Sequence, residues 1–338
     1  MGERTSAQAS TTARAAGIPR QSLQIEHPVI NNKIWLPTPS IRAAFEVIAN
    51  TALERSPGVS FYGSSRVGKT SAILVLREQL AQVFPDIPTM TVNAKWHPRF
   101  SETIFFGEML TAVAHVMSAP AKVEVRRGRV VKLLWTSAMA VRSDRLVLFV
   151  DEAQCWLDAA LTMLRDLAND LLLEHKIQLI VVLFGTPELL SVHTSLLHAG
   201  REDLVGRFMP QRHAFRGITD CDQLRSTMQF YDDPEVSQYP DGSGLSYSEC
   251  LLPIAYRSGW RLENEAPLLW EQYRRMALGK GGLSEVGMQW INASIRDFFQ
   301  QHISFDHADL HGEADQWLDA VRRSGFETSL GNPNTLSH

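Results

Sequence analysis

Cysteine is scarce in this chain, with three among 338 residues, at Cys155, Cys221 and Cys250. They are odd in number, far apart and without a CxxC pair, which argues against a disulfide framework or a cysteine zinc site and leaves them as small core residues. Long apolar runs are missing as well. None approaches the roughly 20 residues that a bilayer-spanning helix needs, and the N-terminus lacks the apolar stretch of a signal peptide. The expected location is therefore the cytoplasm, without membrane attachment. An excess of one charge is also lacking, since 33 Lys+Arg against 37 Asp+Glu leave a net charge of -4. A polyanion-binding surface would have to be local. Lysine is rare among the basic residues, seven against 26 arginines, which fits either bidentate phosphate or carboxylate contacts or simply genomic base composition. There is no internal repeat.

The composition is otherwise ordinary, with 44% hydrophobic and 21% charged residues, as in globular proteins. The length predicts two domains, or one large domain with an appendage. Residues 1–22 (MGERTSAQASTTARAAGIPRQS) have no periodic apolar pattern and are expected to be a disordered arm. From Pro39, Ile41, Phe45, Ile48 and Leu53 recur at helical spacing until Pro57-Gly58. Strands are predicted at 59–62, 89–94, 146–152, 177–184 and 211–215, separated by helices at 70–84, 101–117, 128–142 and 158–175. Two of the strands are continuously apolar, which indicates a parallel sheet covered on both faces. The fold class expected for residues 23–216 is therefore α/β. Beyond Phe215 only helical patterns follow, at 219–231, 246–258, 262–278 and 286–301, giving a small helical domain over 217–304. Residues 305–338, with six acidic residues and two arginines, are expected to be an acidic tail.

Gly63-Ser64-Ser65-Arg66-Val67-Gly68-Lys69-Thr70 is a complete GxxxxGK[ST] motif, with a predicted strand before it and a helix, opening through Ser71, after it. Glycines let such a loop wrap a β-phosphate with backbone N–H groups, Lys69 bridges the β- and γ-phosphates, and Thr70 offers a hydroxyl to Mg²⁺. The strand LVLFVDEAQ delivers Asp151 and Glu152 at its C-terminal end, where parallel sheets bind ligands. Asp151 is expected to hold Mg²⁺, directly or through water, and Glu152 to orient the water that attacks the γ-phosphate. Helix capping is the plainer reading of an Asp-Glu pair. A third strand ends in Gly185-Thr186-Pro187-Glu188. There Thr186 either meets the γ-phosphate or its water, or caps a helix that begins at Pro187. About 80 residues separate Thr70 from Asp151, enough for an additional strand between the two motif strands. ATP is the expected nucleotide, since the chain has no NKxD guanine motif. A small-molecule kinase needs neither the Asp-Glu pair nor the helical domain.

GSSRVGKT, LVLFVDEAQ, GTPELL, DLVGRF and the late helical domain together resemble the TnsC/TniB group of transposon-encoded AAA+ ATPases, including those of CRISPR-associated transposons. The resemblance covers roughly residues 30–300. It implies a P-loop AAA+ fold with a C-terminal helical lid and a cytoplasmic ATP hydrolase. Such an enzyme forms homo-oligomeric rings or filaments on duplex DNA without sequence preference and links a target-selection factor to the transposase. It also implies that Arg207, or Arg201 six residues earlier, is an arginine finger reaching a neighbour's γ-phosphate, and that Arg261 closes over the nucleotide as sensor 2. Surface salt bridges with Glu202 or Asp203 are the alternative for the first two. The candidate DNA contacts are Lys95 and Arg99, together with Lys122, Arg126, Arg127, Arg129 and Lys132 in KVEVRRGRVVK, whose local charge is +4. A solvated helix face is the alternative there. A signalling or chaperone-type ATPase acting on protein without DNA remains the other functional class. His302, His307 and His311 match no zinc spacing. Trp35, Trp96, Trp135 and Trp156 are expected as core or interface anchors rather than a base-stacking platform.

Overall fold

The computed structural model describes residues 24–112 and 122–330. The arm expected over 1–22, the end of the helix expected over 101–117 and residues 331–338 lie outside the described residues. The chain divides into two compact units, Ser40–Arg216 and a discontinuous one made of Met1–Pro39 with Gly217–His338.

In Ser40–Arg216 the strands β1 (Gly58–Tyr62), β2 (Thr89–Asn93), β3 (Arg145–Asp151), β4 (Gln178–Gly185) and β5 (Arg212–Ala214) form one sheet in the order β2-β3-β4-β1-β5. Every pairing is parallel. The strand before the glycine loop therefore lies beside β4 and β5, and the Asp-Glu strand lies beyond β4, so the two motif strands are not neighbours. In β3 and β4 alternate residues go to opposite cores. Leu148, Val150, Val181 and Leu183 meet Phe106, Leu134 and Leu164 on one side, while Phe149, Val182 and Phe184 meet Ile48, Ala72 and Leu76 on the other. That two-sided burial is why both strands are continuously apolar. Each such side chain stabilises the fold by roughly 1.5–3 kcal/mol.

The second unit is helical, with longer helices at Cys221–Asp232, Ala266–Ala277, Met288–His302 and Ala314–Ser324. Asp220 starts the first of them by accepting from the Gln223 amide at 2.8 Å, a side-chain cap for an otherwise unpaired donor. The helix expected over 246–258 is instead two short ones, Tyr247–Leu251 and Pro253–Arg257. Pro253 pushes the preceding residue out of helical backbone, and Leu252 sits at φ −127, ψ 64.

Two boundaries differ from the sequence expectation. Residues 24–38 were expected with the α/β domain, yet Val29, Ile34 and Leu36 are buried in the helical unit's core. Residues 305–330 were expected as a tail, yet the helix Ala314–Ser324 buries Trp317, Ala320 and Val321. Their i, i+3, i+4 spacing is an apolar stripe that the acidic composition hides. Trp317 stacks on Phe298 with ring centroids 4.3 Å apart. Its indole N–H donates to buried Glu265, which also accepts from the Trp260 indole and the Gly312 amide, each at 3.0 Å. One carboxylate thus ties the C-terminal segment to the helical core. Among the described residues, no helix is long and apolar enough to cross a membrane.

Candidate nucleotide site

The glycine loop leaves the C-terminal end of β1 and enters the helix Lys69–Val83. Its first residue has no room for a side chain, because a Cβ on Gly63 would fall 2.0 Å from the Phe215 carbonyl oxygen. Gly68 sits at φ 105, a left-handed conformation suited to glycine, and Arg66 is also left-handed at φ 68. Between them Val67 is buried and pins the loop, while Ser65, Arg66 and Ser71 are exposed. Lys69 is only 6% exposed. Its Nζ donates to the carbonyls of Gly63 at 2.7 Å and Ser64 at 2.9 Å, so the cation curls into the loop whose phosphate it is expected to bind.

Asp151 ends β3, in register with Asn93 of β2. One of its oxygens accepts from Thr70 Oγ1 at 2.7 Å and the other from the Glu152 amide at 3.0 Å. Burial pushes the Asp151 carboxyl above the usual carboxylate range, and those two donors work the other way. A partly desolvated carboxylate beside a hydroxyl is a hard-oxygen pair that fits Mg²⁺, which takes one or two protein oxygens and completes its shell with phosphate and water. Such an ion would satisfy the charge that burial disfavours.

Glu152 has a left-handed backbone, φ 53 and ψ 38. Its Oε2 accepts from Gln154 Nε2 at 2.6 Å. The Oε1 of Gln154 accepts in turn from the Thr186 amide at 3.0 Å. Gly185 lies alongside, its carbonyl accepting from the Gly63 N–H at 3.1 Å. The Thr186 hydroxyl is buried and has no hydrogen-bond partner among the described residues, an arrangement that leaves it available to a phosphate or a water. Lys69, Thr70, Asp151, Glu152 and Thr186 therefore meet at one edge of the sheet. Gln154 completes the group, although its role was not visible in DEAQ because its acceptor comes from the end of a different strand.

The arginines expected to act between protomers are held within their own chain. Arg207 donates to Asn169 Oδ1 at 2.8 Å. Arg201 pairs with Asp158 and with Asp203, and Arg165 reaches the same Asp203 at 2.7 Å. Hydrogen bonds from Arg201 and Arg165 hold the Asp203 carboxyl down to about 2. In the helical unit Arg261 donates to the Tyr256 and Trp260 carbonyls and lies 3.7 Å over the Tyr256 ring.

The basic segment forms the start of the helix Val123–Ala140, where Arg126 donates to the Thr103 carbonyl at 3.0 Å and Arg127 pairs with Asp170 at 2.5 Å. Lys122 and Lys132 are exposed and Arg129 is half-buried. Lys95 and Arg99 are exposed on the loop that leaves β2. That loop starts beside the end of β3, since the Ala94 amide donates to the Asp151 carbonyl at 2.9 Å. Trp96 on the same loop is 67% exposed, and with Phe100, Glu108 and Trp156 it lines an open cleft. Trp156 is a core residue, and Trp35 is exposed. Trp135 stacks on His175. No cluster of three metal-ligating side chains occurs among the described residues. His302 is buried with Nδ1 against the Phe298 carbonyl, a helical core position.

Residues 55–192 match the sequence family described as AAA domain. The fold is similar to the Aeropyrum pernix ORC2 protein in its ADPNP-ADP complexes, with TM-score 0.53 at 12% identity over 88% of this chain and 71% of that one. More distant likenesses include Drosophila ORC bound to AT-rich DNA and Cdc6, TM-score 0.43 at 11% identity over 91% of this chain and 44% of that one. Another is the Aeropyrum pernix ORC1 protein in complex with DNA, TM-score 0.38 at 14% identity over 86% and 82%. No curated protein sequence is similar enough to count as a relative. Residues 55–192 thus form an AAA domain in an α/β fold of the AAA+ kind, and that match supports ATP hydrolase activity.

Proposed function

We propose that this ATP hydrolase is a DNA-binding regulator of transposition that assembles with ATP on duplex DNA and links a target-selection factor to a transposase. The motif order DEAQ, GTPELL, GRF supports the transposon reading. The observation that carries the DNA reading is the placement of exposed Lys95 and Arg99 on the loop adjoining Asp151. Phosphate-backbone contact there lies one loop away from the nucleotide.

In this reading Lys69 turns from the Gly63 and Ser64 carbonyls to the β- and γ-phosphates of ATP. The Glu152 carboxylate accepts a hydrogen bond from the attacking water and orients it, and the Thr186 hydroxyl steadies that water or a γ-phosphate oxygen. Bound Mg²⁺, held by Thr70 and Asp151, supplies charge neutralisation at the phosphates. Arg207, or Arg201, exchanges its intrachain partner for the γ-phosphate of a neighbouring protomer, so hydrolysis and assembly depend on one another. Arg261 serves as the lid arginine after leaving the Tyr256 and Trp260 carbonyls. Lys122, Arg129 and Lys132 extend the phosphate-tracking surface, and Arg126 and Arg127 anchor their helix.

The test is duplex binding across a salt series in the presence of a non-hydrolysable ATP analogue. Log affinity should fall linearly with log salt, and Lys95→Ala or Arg99→Ala should each lower the slope by about one. An ATP-bound oligomer with no salt-dependent affinity for duplex would overturn the DNA reading and favour an ATPase that acts on protein.

A further inference from the structure

We propose that Gln154 is a positioning residue for hydrolysis, a single amide through which the end of β4 sets the orientation of Glu152. The inference rests on the ATPase reading of the site and is independent of any role on DNA.

The hydrogen-bond pattern fixes which way the amide faces. The Thr186 backbone N–H can only donate, so the group 3.0 Å from it must be the carbonyl oxygen of Gln154. The amide nitrogen then necessarily faces Glu152 Oε2, at 2.6 Å. This donor occupies one carboxylate oxygen and leaves Glu152 Oε1 to face a water. A glutamate on an open sheet edge otherwise samples several rotamers, and each lost orientation lowers the fraction of time the water is aligned.

Two further observations show that the other end of the linkage is built for this contact. Gly185 has no side chain where Gln154 packs, and a Cβ there would lie 2.8 Å from Gln154 Oε1. The residue that holds Gln154, Thr186, carries the buried hydroxyl without a partner. Any shift of Thr186 as its hydroxyl engages a phosphate passes through its own amide to Gln154 and from there to Glu152. The Gly185 carbonyl also accepts from Gly63 at the start of the glycine loop, so the end of β4 touches the phosphate loop directly and the water-orienting acid through Gln154. Gln154 itself touches no reacting atom.

Gln154→Met tests this, because methionine keeps the volume and removes both hydrogen bonds. The expected result is a fall in kcat of about 10- to 100-fold with unchanged affinity for a non-hydrolysable ATP analogue and unchanged Tm. In a Glu152→Gln background, where the acid is already lost, the same substitution should lower residual turnover no further. Gly185→Ala approaches from the other side by displacing the amide, and combined with Gln154→Met it should be no worse than the worse single variant. Wild-type kcat in Gln154→Met overturns the proposal. So does a fall in kcat matched by an equal loss of nucleotide affinity or Tm, or one that persists undiminished in the Glu152→Gln background, since either is what a purely structural glutamine would produce. A chain that hydrolyses no ATP at all would instead defeat the ATPase reading on which the inference stands.

Discussion

Thr70 Oγ1 and Asp151 Oδ2 are 2.7 Å apart across 81 residues of sequence. The hydroxyl comes from the first turn of the helix after β1 and the carboxylate from the end of β3, two strands that do not touch, with β4 between them. Their contact brings together the two oxygens that fit a divalent ion, and it forms only because the β2-β3-β4-β1-β5 order converges both strand ends on the glycine loop.

Lys69→Ala should abolish ATP binding and ATP-dependent assembly on DNA together. The variant loses the cation that neutralises the phosphates and also leaves the Gly63 and Ser64 carbonyls without a buried donor. Equilibrium binding of a fluorescent ATP analogue, followed by electron microscopy on duplex, checks both, and normal assemblies of the variant on DNA would defeat the expectation.

Glu152→Gln should keep ATP affinity and lock the assembled state, with turnover reduced by at least about 100-fold. Glutamine preserves the shape but loses the charge that orients water. Steady-state phosphate release gives the answer, and unimpaired release would move the water-orienting role to another residue.

Arg207→Ala should leave nucleotide affinity nearly intact, because the glycine loop is untouched, while impairing hydrolysis and assembly. A mixing experiment distinguishes action between protomers from the intrachain bond to Asn169. Arg207→Ala subunits retain the phosphate loop and Lys69→Ala subunits retain the arginine, so mixtures with DNA at high protein concentration should recover part of the ATPase activity. Co-assembly without recovery counts against Arg207, and repeating the experiment with Arg201→Ala then tests the other arginine.

Glu265→Ala should destabilise the helical unit by about 3 kcal/mol, because three buried N–H groups lose their shared acceptor. Gly312→Ala should act similarly, since its methyl would fall 2.4 Å from Glu265 Oε2 and from Trp317 Nε1. Thermal denaturation followed by tryptophan fluorescence reads both, and an unchanged Tm in Glu265→Ala would show that the acid does not hold this segment.

Burial pushes the Asp232 carboxyl up to about 6 from an ordinary 3.8, against the opposing pull of the Leu262 and Glu263 amides. Between those two values the folded chain binds a proton that the unfolded chain has released, so this group's contribution to stability is complete below pH 3.8 and is lost as pH rises through 6. It amounts to about 3 kcal/mol across that window. Urea midpoints at pH 4 and pH 7 should therefore change differently in wild type and Asp232→Asn, with wild type gaining more on acidification. Identical pH dependence in the two would remove Asp232 from the account.

Legible in the residues alone were the alternation of strands and helices in 40–216, the glycine loop and the acid pair at the end of β3. Each of these is a short-range matter. Continuous apolar runs such as LVLFV mark strands covered on both sides, and GSSRVGKT states its chemistry within eight residues. Tertiary structure alone decided what depends on separate segments meeting. Gln154 gains its role from the backbone N–H of Thr186 at the end of another strand. Residues 24–38 carry no mark of belonging to a helical core that begins after residue 216. Trp317 reads as one aromatic in an acidic stretch until Phe298 and Glu265 enclose it. Arg207 and Arg201 look alike in sequence, yet one is held by an amide oxygen and the other by carboxylates. Periodicity and motif spacing act over a few residues, whereas hydrogen-bond partners and core neighbours are set by how the strands are ordered and how the helices cover them.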